Sequence, residues 1–145
     1  MSVNVRFKKL DPKAQAPTYG SPSAAGADLY ALEGAVLQAG ETVLIHTGIA
    51  MEIPEGYAGL IYARSGLATK RGLAPANKVG VIDADYRGEI MVSLHNHSGK
   101  EQRIDEGERI AQLVVTPFLR VEFSLADDLS DTLRGAGGFG STGTK

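Results

Sequence analysis

The sequence contains no cysteine and no long apolar run. The first absence excludes disulfide bonds and thiolate metal sites, and it is compatible with a cytoplasmic protein. No stretch approaches the roughly 18 apolar residues of a membrane-spanning helix. Residues 1–15 also lack the apolar segment of a signal peptide. We therefore expect a soluble, cytoplasmic protein without a membrane partner.

The chain has little excess charge of either sign. Its 15 Lys and Arg residues nearly balance 17 Asp and Glu residues, which leaves a formal net charge of −2. Proteins that bind nucleic-acid backbones usually present a strongly basic surface. We therefore expect no nucleic-acid partner, whereas a small phosphate ligand needs only a few donors and stays compatible with this balance.

Patterns typical of long helices are scarce. Glycine (18) and proline (6) divide the 145 residues into short runs rich in β-forming residues. Many short strands with regular turns predict one all-β domain, built as a sandwich, barrel or jelly roll. The predicted strands are residues 3–9, 28–31, 35–37, 42–52, 57–63, 78–82, 89–96, 102–104, 108–117 and 121–123. Short helical turns are predicted at 65–71 and 125–132, a turn at 54–56, and a hairpin tip at 85–88.

Residues 134–145 are rich in glycine and poor in apolar side chains. Because so little surface is available to offset the entropy lost on ordering, we expect a β domain at 1–133 followed by a flexible tail. Glycines 135, 137 and 140 have the spacing of dinucleotide-binding and phosphate-binding loops, which act between a strand and a helix. Ser141 replaces the phosphate-loop lysine and three residues follow Thr142, so neither motif is predicted here. Arg134 and Phe139 suit phosphate binding and base stacking, and a disordered polar tail is an equal alternative.

Two internal segments combine polar groups that could act on a ligand. Arg64, Ser65 and Gly66 end a predicted strand and begin a helical turn, where a cation, a hydroxyl and free amides meet. A phosphate site and a capped surface turn explain this segment equally well. Asp83 follows an apolar run and is placed to act as a base, with Asp85 on the same side of an extended strand. An ordinary hairpin turn is the favoured explanation for these residues taken alone.

Four polar residues lie in or beside strand-like runs. Asp28 and Gln112 have apolar neighbours, and structural hydrogen bonds are their favoured explanation. His95 and His97 would share one strand face as a possible metal pair, but no third ligand is near. A surface strand end is therefore the favoured explanation for the two histidines.

Five segments, AGADLYA, ARSGLATKRGL, GVIDADYRGEI, GERIAQL and RGAGGFGSTG, resemble the ordered motifs of the trimeric deoxyuridine triphosphatase (dUTPase) family across residues 25–143. The resemblance implies an all-β jelly roll (a β-clip barrel) and a homotrimer whose sites are shared between subunits. It also implies hydrolysis of dUTP to dUMP and pyrophosphate with Mg²⁺. That activity keeps uracil out of DNA and supplies dUMP for thymidylate synthesis.

The same resemblance implies a role for each site residue. Asp83 would activate the attacking water at the α-phosphorus, and Tyr86 would pack against deoxyribose and reject UTP. Asp28 would help to place Mg²⁺ through water. The uracil contacts would be Asn77, Gly80, Val81, Ile82 and Met91, the phosphate contacts Arg64, Ser65, Gly66 and Gln112, and the lid residues Arg134, Phe139, Gly140, Ser141 and Thr142.

Two alternatives share the scaffold. A dCTP deaminase would need a general acid/base for attack at the pyrimidine ring, typically a glutamate, and would lack the Gly-Phe-Gly-Ser-Thr tail. A non-catalytic nucleotide-binding protein would be indicated by loss of Asp83, Gln112 or the tail arginine. This chain has the Gly-Phe-Gly-Ser-Thr tail, and it retains Asp83, Gln112 and the tail arginine.

Overall fold

The computed structural model describes residues 2–145. Within that range the chain forms eleven strands and one short helix, which confirms the predicted all-β class. The elements are β1 (Arg6–Lys9), β2 (Thr18–Tyr19), β3 (Ala27–Tyr30), β4 (Ala35–Leu37), β5 (Thr42–Glu52), β6 (Tyr57–Tyr62), α1 (Ser65–Arg71), β7 (Leu73–Pro75), β8 (Gly80–Ile82), β9 (Glu89–Asn96), β10 (Gln102–Ile104) and β11 (Arg109–Pro117).

The strands form two main antiparallel sheets and one small one. The first main sheet has the order β1-β5-β9-β7 and the second has the order β2-β3-β11-β6-β8, while β10 pairs with β4. Ile45 and Val92 of the first sheet share one buried core with Leu29 and Leu113 of the second. Two antiparallel sheets packed on a common core agree with the predicted jelly roll.

Strand β9 shows why the sequence forms this architecture. Its side chains alternate strictly, with Ile90, Val92 and Leu94 buried and the residues between them half-buried. This period of two directs one face into the core and leaves the other face to line a cavity.

Strand β5 contains a bulge at its centre. Its register against β9 shifts between His46 and Ala50, and Gly48 has a φ of 69°. A Cβ at position 48 would lie 2.9 Å from the Cβ of Ala14, so the bulge requires glycine for both conformation and space. The hydroxyl of Thr47 donates to the carbonyl of Ile90 at 2.6 Å and fastens the bulge to β9.

Helix α1 follows β6 directly and is closed by Gly72, which has a φ of 67°. Leu67 packs into the core from the middle of the helix. At its C-terminal end, Arg71 donates to the carboxylate of Glu108 and to the carbonyl of Arg103. The helix is therefore tied to the β10–β11 turn, and its first residues are held at the end of β6.

The predicted strands agree with the structure apart from their ends, and the turn at 54–56 is confirmed by the φ of 83° at Gly56. Two predictions after β11 are wrong, because residues 121–123 form no strand and residues 125–132 form no helix. Phe123 is 96% exposed and Leu119 is 90% exposed, so these apolar side chains have no surface of their own chain to pack against. The short strands β2 and β7 were not predicted.

The prediction of a hairpin at 85–88 is also wrong. A turn does occur at residues 83–86, but β8 belongs to the five-stranded sheet and β9 to the four-stranded sheet. Residues 83–88 therefore form a loop that crosses between the two sheets. Strand β8 ends at Ile82, so Asp83 and Asp85 do not share a strand face as predicted. Asp and Gly favour a reversal of the chain but do not specify whether the flanking strands pair.

Candidate active site

A cavity of about 300 Å³ lies where the loop at 83–88 meets β8 and β9. Its volume is at the lower end of the range for small-molecule sites, and a few polar groups interrupt an apolar wall. Every residue predicted to contact uracil lines this cavity, together with Asp83 and Tyr86. The lining residues are Leu44, Ile61, Pro75, Asn77, Gly80, Val81, Ile82, Asp83, Tyr86, Glu89, Met91, Val92 and Ser93.

Asp83 stands at the first position after β8 and is exposed. It lines both this cavity and a second, more open cavity of about 1060 Å³, which is also lined by Asp85 and Arg87. The side chain of Asp83 forms no hydrogen bond or ion pair within residues 2–145. Its carboxylate is therefore free to bind a water molecule or a ligand hydroxyl.

Tyr86 is held in place by its own loop. Its hydroxyl donates to the carbonyl of Glu89 at 2.7 Å. The ring covers Gly88 so closely that a Cβ at position 88 would lie 2.6 Å from the Cζ of Tyr86. Glycine at 88 is therefore required for the ring position, and the ring forms one wall of the cavity.

A second group of predicted site residues surrounds Asp28, which is only 9% exposed. The Nε of Arg64 donates to its Oδ1 at 2.9 Å, and the Nη1 of Arg109 donates to its Oδ2 at 3.4 Å. Paired cations satisfy the buried carboxylate. The sequence reasoning missed Arg109, whose position at the start of β11, opposite Tyr30 on β3, follows only from the strand register.

Gln112 joins this group from β11, where it lies opposite both Asp28 on β3 and Tyr62 on β6. Its Nε2 donates to the carbonyl of Ala63 at 2.9 Å. A Cβ at Gly26 would overlap the Oε1 of Gln112, so glycine at 26 leaves room for the amide. Asp28 and Gln112 thus have the structural hydrogen bonds that the sequence favoured, and both stand beside Arg64.

Ser65 and Gly66 begin α1 next to Arg64, and both are exposed. A Cβ at Gly66 would meet nothing within 4 Å, so the start of the helix is open. Free amides, a hydroxyl and a guanidinium in one place suit the binding of phosphate oxygens.

The described residues offer no direct protein site for a metal. In the range 2–145 no cluster of three or more His, Asp or Glu side chains could hold an ion. His95 and His97 stack edge to face with ring centroids 4.4 Å apart, and their Nδ1 atoms contact Thr42 and the carbonyl of Gly72. Both carboxylate oxygens of Asp28 face arginines and are not available as direct metal ligands. An Mg²⁺ ion would therefore be held by substrate phosphates and water, as this ion commonly is.

The tail folds into successive turns. Arg134 donates through Nε to the carbonyl of Gly137 at 2.7 Å, and further turns connect Gly138 to Ser141 and Gly140 to Gly143. The side chain of Phe139 is exposed. Among the described residues, those that line the cavity of about 300 Å³ include none from the tail.

The helix of the described chain has seven residues, and no helix in that range is long and apolar enough to cross a bilayer.

Fold and site together define the class: an antiparallel β protein with a small-molecule cavity beside a free carboxylate and a separate arginine cluster suited to phosphates. The dUTPase family model matches residues 12–143, and the chain belongs to this family. It hydrolyses dUTP and is a hydrolase of nucleotide metabolism.

Two bacterial relatives cover almost the whole chain. The deoxyuridine 5′-triphosphate nucleotidohydrolase of Hydrogenobaculum sp. is 52% identical over 144 residues, which is 99% of this chain and 100% of the relative. The enzyme of the same name from Nautilia profundicola is 49% identical over 141 residues, covering 97% and 99% of the two chains. These relatives agree with hydrolysis rather than with deamination or non-catalytic binding.

Solved structures of phage dUTPases have the same fold. A mutant of the Staphylococcus bacteriophage 80alpha dUTPase with dUpNHpp has a TM-score of 0.91 and 30% identity, covering 99% of this chain and 100% of that one. A mutant dUTPase from phage phi11 of S. aureus, which reveals the coordination of a structural Mg(II) ion, has a TM-score of 0.80 and 28% identity. It covers 87% of this chain and 98% of that one.

Proposed function

We propose that Asp83 activates a water molecule for in-line attack on the α-phosphorus of dUTP, which yields dUMP and pyrophosphate. The observation that carries this proposal is the position of Asp83 at the rim of the cavity, next to Tyr86 and without a protein partner. A carboxylate in that position accepts the proton of the water as it attacks. Phosphoryl transfer needs positioning and charge neutralisation more than covalent help, so one well-placed base is sufficient for this step.

The cavity suits uracil attached to deoxyribose. Asn77 and the backbone of β8 provide hydrogen-bonding groups beside the apolar side chains of Ile82 and Met91. Tyr86 would pack against the sugar and leave no space for a 2′-hydroxyl. The loop at 83–88, closing on the base, would likewise exclude the 5-methyl group of thymine.

The Asp28 cluster is the proposed phosphate site. Arg64, Ser65 and Gly66 would bind phosphate oxygens, and the amide of Gln112 would join them from the neighbouring strand. Asp28 holds Arg64 in position, and its contact with Mg²⁺ would be through a water ligand of the ion. When bound, Mg²⁺ would neutralise charge on the phosphate oxygens.

The site would be completed by two further subunits of a homotrimer. In the described chain, the residues that line the cavity include none of Arg64, Ser65, Gly66 or Gln112, which supports a site shared between chains. The segment at 118–133 carries exposed apolar side chains, including Leu125 and Leu129, that suit burial against a neighbouring copy.

The tail of a third chain would close over the nucleotide, with Arg134, Ser141 and Thr142 at the γ-phosphate and with Phe139, next to Gly140, on the base. The cytoplasmic location stays a prediction of the sequence composition.

Pyrophosphate release measured with dUTP, dTTP, dCTP and UTP, first with Mg²⁺ and then with EDTA, tests this proposal. We expect release from dUTP alone and a sharp fall on chelation. Release from all four nucleotides would contradict the proposed base and sugar selection, and full activity in EDTA would contradict the role of the metal.

A further inference from the structure

Glu89, the first residue of β9, contacts two parts of the molecule through different groups. Its backbone carbonyl accepts the hydrogen bond from the hydroxyl of Tyr86 at 2.7 Å. Its carboxylate Oε2 lies 3.0 Å from the Nδ1 of His46 and accepts the backbone N–H of Gly48 at 3.1 Å. A single residue therefore connects the ring of Tyr86 to the bulge of β5.

The bulge is a firm attachment point for Glu89. Gly48 has a positive φ and contacts Ala14 and Leu32 too closely to admit a side chain, while Thr47 is bonded to the carbonyl of Ile90. Because a carboxylate only accepts hydrogen bonds, the Nδ1 of His46 carries the hydrogen that it shares with Glu89. The carboxylate contacts of Glu89 thus help to fix the backbone carbonyl of the same residue, which accepts the hydrogen bond from the hydroxyl of Tyr86.

The position of the Tyr86 ring matters because the proposed rejection of a ribose is steric. A 2′-hydroxyl adds only one oxygen atom, so a ring that can shift by a fraction of an ångström would admit it. Selective sites hold such side chains through supporting hydrogen bonds and close packing. Gly88 supports the ring by packing, and Glu89 supports it by the hydrogen bond.

We propose that Glu89 and His46 are positioning residues for Tyr86, and that they thereby contribute to the discrimination between dUTP and UTP. This inference rests on the proposed role of Tyr86 as the sugar gate. Glu89 acts through its carbonyl and its carboxylate together, and His46 acts through its contact with Glu89.

The test is the ratio of kcat/KM for dUTP to kcat/KM for UTP in Glu89→Ala and His46→Ala. We expect the ratio to fall by roughly fivefold, about the effect of one ordinary hydrogen bond, because activity on UTP rises relative to activity on dUTP. Glu89→Gln keeps an acceptor for the N–H of Gly48 and should restore part of the ratio. Glu33→Ala removes an exposed carboxylate away from the cavity and should leave the ratio unchanged.

Two further variants separate this inference from the gate itself. Tyr86→Phe removes the hydroxyl bond, so Glu89→Ala should add little to its effect on the ratio, which is the coupling expected for linked residues. Tyr86→Ala tests the gate alone, and an unchanged ratio would overturn both proposals. A lower ratio in Tyr86→Ala with an unchanged ratio in Glu89→Ala would overturn only the positioning role. Equal losses with both substrates and a lower melting temperature would show a purely structural role and would also overturn it.

Discussion

At the scale of single residues, the chemistry depends on how each polar group is partnered. Asp28 is buried and has two arginine partners, whereas the side chain of Asp83 is exposed and has none in the described chain. A carboxylate with arginine partners holds those side chains in position, while a free one can contact a ligand or a water molecule. We therefore expect the two acidic residues to have different roles, although both belong to family motifs.

The role of Asp83 predicts the behaviour of Asp83→Asn. Asparagine keeps the size of the side chain but cannot accept the proton of the attacking water, so kcat should fall by roughly 10²- to 10⁴-fold. The dissociation constant for dUTP, measured by calorimetry, should change little. Asp85→Asn is the matched control, because Asp85 lies in the same loop but does not line the cavity of about 300 Å³. A kcat of Asp83→Asn close to that of the parent would contradict the assignment.

Gly26 offers a prediction about Gln112. In Gly26→Ala the new methyl group would overlap the Oε1 of Gln112 and force the amide away from Ala63. We expect overpacking to lower the free energy of unfolding by about 1–3 kcal/mol and to raise KM for dUTP. Thermal unfolding and steady-state kinetics measure the two effects. Gly20→Ala, where a methyl group meets nothing within 4 Å, should show neither effect.

At the scale of elements, the loop at 83–88 and the start of α1 carry most of the proposed catalytic and phosphate-binding residues, and contacts with the sheets hold both. The loop connects two sheets, so its ends are anchored in different layers of the fold. Helix α1 is short, but Gly72 closes it and Arg71 binds it to the β10–β11 turn. The tail differs, since its hydrogen bonds in the described chain connect its residues only to one another and to Thr132 just before it.

Deletion of residues 134–145 tests the tail as an element. Because the tail contributes nothing to the shared core, the truncated protein should keep its melting temperature and its assembly state. The rate of dUTP hydrolysis should fall severely, since the proposed lid excludes bulk water and contacts the γ-phosphate. Circular dichroism, light scattering and pyrophosphate release measure these properties. Full activity of the truncated protein would disprove the lid.

At the scale of the whole molecule, the proposed site consists of two groups of residues in each chain. The cavity of about 300 Å³ lies beside the loop at 83–88, and the Asp28 cluster lies where β3, β6 and β11 run side by side. A closed ring of three identical chains can bring one half of each chain against the complementary half of the next. The exposed apolar segment after β11 is consistent with such an assembly.

Mixing two inactive variants tests this arrangement. If the loop and the tail of each site come from different chains, co-refolding Asp83→Asn with the chain lacking 134–145 should restore activity. Random mixing of equal amounts in a trimer leaves about one site in four with both an intact Asp83 and an intact tail. Each variant refolded alone is the control. Absence of any recovery, with mixed trimers shown by mass spectrometry, would place the loop and the tail of each site in the same chain.

The sequence by itself determined the all-β class, most strand positions, the short helix and the candidate residues, because these follow from local periodicity, turn residues and ordered motifs. Only the tertiary structure decided which residues meet. It joined Arg109 to Asp28, placed β8 and β9 in different sheets, and left residues 121–123 and 125–132 without the elements expected of them. The physical reason is that local patterns set the conformation of a segment, whereas pairing and burial depend on surfaces that are distant in sequence.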